Sequence, residues 1–307
     1  MQSINECCDK VKKDYLKFLN KEKISSDSLT VKITELKKVY IPISFWIENK
    51  YKKKGKTLFL GFSGGQGSGK TTAVGILKII LKIFFKRKIH VSSIDDFYKT
   101  LKDRDKMSYT IHPLLKTRGV PGTHDVNLIK NFFNYIRKKN FQKFRLPKFD
   151  KATDDRLEKK YWSNIKKKPE IVILEGWCVG AKPQSESLIK EPVNILEKYE
   201  DEDLIWRKHV NEKLKKDYRK IFSMIDHFIF MKVPDFNVVF KWRLLQETKL
   251  KKRSHTKKKI MSYNEIKRFI MFYERITLQM VKDLSRSASI VMLLKKNHKI
   301  KKILFRK

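Results

Sequence analysis

The chain predicts an α/β domain: a doubly wound, mostly parallel sheet of five strands with helices on both faces. Three observations predict it. An apolar run, Leu58 to Phe62, passes without a gap into a glycine-rich turn and then into a long apolar helix pattern. Further apolar runs at 89–94, 171–174, 227–233 and 289–294 recur with helix-patterned segments between them, as parallel strands joined by helical crossovers require. The 307 residues, 41% of them hydrophobic, suffice for one large core with appendages.

The turn carries the most information. Gly64, four intervening residues, then Gly69, Lys70 and Thr71 match GxxxxGK[ST]. Gly64, Gly65, Gly67 and Gly69 let the backbone turn its N–H groups inward, where they and the following helix N-terminus cradle phosphate oxygens. Gln66, Ser68 and Thr72 complete the nucleotide-binding stretch. Lys70 is placed to reach the β- and γ-phosphates, and the Thr71 hydroxyl to ligate Mg²⁺. The helix expected over 72–86 puts Lys78, Lys82 and Lys86 on one stripe and apolar residues elsewhere, so it is buried against a sheet. Strand, loop and buried helix in that order predict a P-loop NTPase fold.

Composition bounds the setting. Cys7, Cys8 and Cys178 have neither metal-ligand spacing nor a disulfide framework, which fits a reducing compartment. No apolar run reaches the length of a membrane span, and MQSINECCDK has neither a basic start nor an apolar core, so a cytoplasmic protein is expected. The formal charge of +39 invites a nucleic-acid reading. Against it, the lysines occur in almost every block of the chain, and abundant Lys, Ile, Asn and Phe are also what an AT-rich genome encodes. A nucleic-acid partner is therefore not expected, although the field should attract anionic ligands.

In chain order, residues 1–55 read as a helical arm packed on the core, with the apolar run 39–47 docked on it. Residues 56–307 form the nucleotide-binding domain. Its second strand ends in SIDDFY, at the carboxyl edge where open α/β sheets place their sites. Residues 97–170 are a long insertion with little strand character, inside which Asp125 caps a helix over 126–138. Helices are expected over 236–249 and 264–284, with a basic lid region at 240–262.

Phosphoryl transfer needs phosphates and Mg²⁺ held, an acceptor hydroxyl in line, and charge stabilised. Glu175 follows the apolar run IVIL and is positioned to complete the metal site. Asp95 is the candidate base for the acceptor hydroxyl; its neighbour Asp96 points elsewhere and reads as a helix cap.

Taken together, GGQGSGKTT (64–72), SIDDFY (93–98), HPLLKTRGVPGTHD (112–125), LPKFDKATDDR (146–156) and ILEGWCVG (173–180) resemble the D-glycerate 3-kinase family, in the phosphoribulokinase and uridine kinase branch of P-loop kinases. The resemblance continues through VNILEKYEDEDLIW (193–206), FKWRLLQE (240–247) and FIMFYERIT (269–277). It implies ATP- and Mg²⁺-dependent phosphorylation of a small hydroxy acid, D-glycerate first, with a nucleoside or pantothenate as the alternative acceptor within the branch. It also implies that Asp95 faces the acceptor hydroxyl and that Arg243 is the lid arginine. For the acceptor's carboxylate the candidates are Arg118, His124 and Arg156. Between Asp150 and Arg156 the family carries small residues and glycine; this chain reads DKATDDR, so a different loop geometry is expected there.

Overall fold

The computed structural model describes residues 3–23, 27–253 and 261–306. Its centre is a six-stranded sheet: β1 (Leu58–Gly64), β2 (Ile89–Ser93), β3 (Ile171–Gly176), β4 (His227–Lys232), β5 (Ile290–Leu294) and β6 (Ile300–Phe305). The spatial order is β6-β5-β4-β1-β3-β2, with β1 to β5 mutually parallel and β6 antiparallel to β5.

The sixth strand corrects the expected count of five. It lies in the C-terminal lysine-rich run, which reads as surface composition in the sequence. Its pairing runs from Phe305 opposite Ile290 to Ile300 opposite Leu294, with a bulge between Ile300 and Lys302. Ile300 and Ile303 pack against the core while Lys301 and Lys302 stay exposed. Lysines on an outer strand deter pairing with another chain, so the feature that hides the strand from a hydropathy reading also suits its place at the edge.

Alternation along the strands feeds two cores, one on each face of the sheet. Leu58, Leu60, Phe62, Ile171, Ile173, Ile229 and Met231 point to one; Phe59, Val172, Leu174 and Phe230 point to the other. The first core holds the helix Lys70–Ile83 together with Ile4–Lys21 and Ile41–Lys54 from the N-terminal region. Contact there is close: a Cβ on Gly75 would lie 2.5 Å from the Phe18 ring. The second core holds the helix Val126–Arg137, whose Leu128 amide is capped by Asp125 Oδ1 at 3.2 Å, and part of the long helix Tyr263–Ser287.

The insertion between β2 and β3 carries the helices Leu101–Thr110 and Val126–Arg137 and two short antiparallel ribbons, 144–146 with 163–165 and 149–150 with 155–156. Register then brings the site together. Glu175 of β3 lies opposite Phe62 of β1 and Ser93 of β2, so the ends of three adjacent strands meet at one edge. Among the described residues no helix is long and apolar enough to cross a membrane.

Candidate active site

A cavity of about 350 Å³ opens at that edge. Its phosphate side is built largely from backbone. Gly67 and Gly69 take φ of 72° and 90°, left-handed values that glycine adopts without penalty. A Cβ on Gly67 would also lie 2.8 Å from the Cβ of Trp242. Trp242 donates from Nε1 to the Lys296 carbonyl and stacks on His298, whose Nε2 lies 3.0 Å from the Gly67 carbonyl. The turn between β5 and β6 thus braces the loop from behind. Gln66 Oε1 and Ser68 Oγ are buried without a hydrogen-bond partner. Unpaired polar atoms in such a loop suit a polar ligand, since leaving them unmet costs about 1–3 kcal/mol each.

Lys70 Nζ donates to the Gly65 carbonyl at 3.0 Å. Burial pulls its ammonium below the ordinary lysine range, opposed by the carboxylates of Glu175 and Asp95. Thr71 Oγ1 lies 3.5 Å from Glu175 Oε1. Burial pushes the Glu175 carboxyl up, opposed by Lys70. Two adjacent hard oxygen donors, one of them a carboxylate that a cation would hold ionised, fit Mg²⁺. Among the described residues no three His, Cys, Asp or Glu converge on one point. Mg²⁺ needs no such cage, because it takes one or two protein oxygens and fills its shell with water and phosphate.

The opposite side is built from side chains. Asp95 sits in the turn Ile94–Phe97 directly after β2, its amide bonded to Ser93 Oγ at 3.3 Å. Its Oδ1 accepts from the Tyr98 hydroxyl at 3.1 Å and its Oδ2 from Lys151 Nζ at 2.6 Å. Burial alone would raise the Asp95 carboxyl, but Lys151, His124 and the Tyr98 hydroxyl together outweigh it and the group stays below the usual carboxylate range. Asp96 does not line the cavity; burial pushes it up, opposed by Lys148. Nor does Asp96 cap the turn, a task that falls to Ser93.

Of the three candidates for the acceptor's carboxylate, Arg118 lines the cavity, paired with Asp154 and lying over the Phe149 ring at 5.5 Å. His124 and Arg156 lie behind it. The His124 ring stacks on Tyr98 with centroids 4.4 Å apart, Nδ1 is 2.6 Å from the Tyr218 hydroxyl, and burial pushes the imidazole down to about 4. Arg156 donates from Nε and Nη2 to the Tyr98 carbonyl at 3.0 and 2.6 Å and pairs with Asp125 at 3.3 Å. Both residues hold Tyr98, and Tyr98 holds Asp95.

Asp154 adopts φ 56°. The left-handed turn that a glycine would supply is therefore made here by an aspartate, one of the few other residues that tolerate it. Arg104, fully buried, fixes that turn by donating to both the carboxylate and the carbonyl of Asp154 and to the Lys116 carbonyl.

Arg243, on the helix Phe236–Arg253, lines the cavity, pairs with Glu247 and lies over the Phe269 ring at 5.4 Å. Its Nε is buried without a partner. Residues 254–260 of the expected lid region, with Lys257 and Lys258, lie outside the described residues. The cavity walls also include Tyr98, Lys151, Trp177 and Tyr273, which the sequence reading did not single out. Lys151 and Tyr98 sit inside motif blocks, but among so many lysines nothing local marks one as facing a carboxylate.

No family model matches the chain. It is 33% identical over 236 residues to an uncharacterized kinase, mug58, of Schizosaccharomyces pombe, covering 74% of this chain and 82% of that one. It is 28% identical over 251 residues to the chloroplastic D-glycerate 3-kinase of Arabidopsis thaliana, covering 76% of this chain and spanning about half, 52%, of that protein. Among solved structures, a D-glycerate 3-kinase from Cryptococcus neoformans superposes with a TM-score of 0.72 at 23% identity, over 86% of this chain and 98% of that one, a likeness of fold.

Proposed function

The chain belongs to the D-glycerate 3-kinase family of P-loop kinases, ATP-dependent phosphotransferases acting on an alcohol, and from that premise we propose that it phosphorylates D-glycerate at the 3-hydroxyl with Mg²⁺ as cofactor. The observation that carries the reading is the sharing of one cavity by the phosphate loop, the Asp95 carboxylate and the cations Lys151 and Arg118. Both cations are ion-paired, to Asp95 and Asp154, and a hydroxy acid brings a carboxylate that can enter those pairs, whereas a neutral hydroxyl acceptor brings none.

In this reading the loop from Gly64 to Thr72 holds the nucleotide phosphates, with Lys70 on the β- and γ-phosphates. Thr71 and Glu175 would hold Mg²⁺, which when bound offsets the charge building on the transferring group. Asp95 takes the proton of the acceptor hydroxyl, and Tyr98 fixes its carboxylate in place. Arg118 lies within the cavity for the acceptor's carboxylate, while His124 and Arg156 act one layer out. Arg243 acts as the lid arginine, turning from Glu247 to the triphosphate, and residues 1–55 are an arm on the kinase domain. Three buried, unbridged cysteines support a reducing compartment such as the cytoplasm.

The test is ATP consumption with Mg²⁺ and D-glycerate, coupled to detection of 3-phosphoglycerate. Glycerate-dependent product is expected. ATP binding without glycerate turnover would move the acceptor to pantothenate, a nucleoside or another small alcohol.

A further inference from the structure

The Lys151 ammonium and the Asp95 carboxylate occupy each other. Nζ lies 2.6 Å from Oδ2, and both residues line the cavity. The lysine side chain is 63% exposed, whereas its backbone is held. Ala152 N and Thr153 Oγ1 donate to the Asp150 carboxylate at 2.9 and 3.2 Å, and the Asp154 turn is clamped by Arg104 and Arg118. The head of the chain can therefore change partner without the loop moving.

That pairing bears on which acceptors can reach Asp95. An acceptor hydroxyl must approach the carboxylate that Lys151 covers. A neutral polyol would displace the ammonium and leave it with no carboxylate in its place. A hydroxy acid brings a carboxylate of its own, so one ion pair replaces another while the hydroxyl takes Asp95. Arg118 serves less well for this exchange, because it is already bound to Asp154 and stacked over Phe149.

Building on the glycerate reading, we propose that Lys151 is the specificity-determining residue of the acceptor site: its ammonium leaves Asp95 for the acceptor's carboxylate, so that an acidic acceptor uncovers Asp95 for its own hydroxyl. Discrimination between acidic and neutral acceptors then comes from an exchange of partners, and the ligand-free pair keeps Asp95 covered.

The experiment compares kcat/KM for D-glycerate and for its neutral isostere D-glyceramide in wild type, Lys151→Met and Lys151→Arg, with ATP KM and Tm recorded alongside. Wild type should favour glycerate by about 10²-fold. Lys151→Met should shrink that ratio to within about tenfold by moving the two acceptors in opposite directions, glycerate down through KM and glyceramide up. Lys151→Arg should restore most of the preference. A residue with only a structural role would lower both acceptors together. Full glycerate preference in Lys151→Met, or a parallel loss on both acceptors, overturns the inference and leaves the glycerate reading intact. A wild-type enzyme that turns over neither acceptor overturns both.

Discussion

The two sides of the cavity are built in different ways. On the phosphate side, residues 64–72 are contiguous, and their geometry is a property of the backbone: glycines at left-handed φ, a helix N-terminus, and a lysine returning to its own loop at Gly65. On the proposed acceptor side, Asp95, Tyr98, Arg118, Lys151 and Asp154 come from three separate segments of the chain and are held by side-chain ion pairs and hydrogen bonds. A backbone-built site tolerates change around it but not within it. A side-chain-built site can be retuned piece by piece, which suits the half of the cavity proposed to fit the acceptor.

Substitutions on the two sides should therefore fail differently. The largest effect is expected from Lys70→Ala, which removes the charge proposed to meet the β- and γ-phosphates and should cut turnover by about 10³-fold or more. Near-normal turnover in a steady-state assay would refute the assignment. Next comes Arg104→Ala, which strips the buried guanidinium that clamps the Asp154 turn. Denaturant unfolding should show a loss of about 3 kcal/mol, from the charge-assisted bond to Asp154, the two carbonyl bonds and the lost packing of the buried side chain, while Asp154 keeps Arg118. Acceptor KM should rise while ATP KM holds; a parallel rise in both would mean that the two sides are not independently built.

The smallest effect concerns pH. His124 is held neutral, pushed down to about 4 by burial, so the unfolded chain takes up its proton first as pH falls. Its contribution is therefore complete above the ordinary histidine value near 6.5 and is lost as pH falls toward 4, amounting to about 2–3 kcal/mol. Unfolding free energies measured between pH 7 and pH 4 should fall less steeply in His124→Gln, and an unchanged slope would show that the buried imidazole is not the group responsible.

Legibility follows the same division. The order β1, loop, helix was readable because hydrophobic periodicity and the glycine spacing both act within about fifteen residues. The positions of Asp95 and Glu175 followed from one rule, that parallel strands end at a common edge. β6 was not readable, because its lysines mask the alternation of an edge strand. Lys151 was not readable either, since what distinguishes it from the other lysines is a 2.6 Å contact across 56 residues of chain. His124 and Arg156 carry the residue types of a carboxylate site, and the structure sets both behind Tyr98 because burial and carbonyl contacts are invisible in a linear pattern.

The most direct test of a cavity with separable halves is to measure ATP affinity and glycerate turnover side by side in Asp95→Asn. Turnover is expected to fall about 10²–10⁴-fold, with the ATP dissociation constant within about twofold of wild type. Near-normal turnover, an equal loss of ATP affinity, or the same defect arising from Asp96→Asn instead would contradict the account.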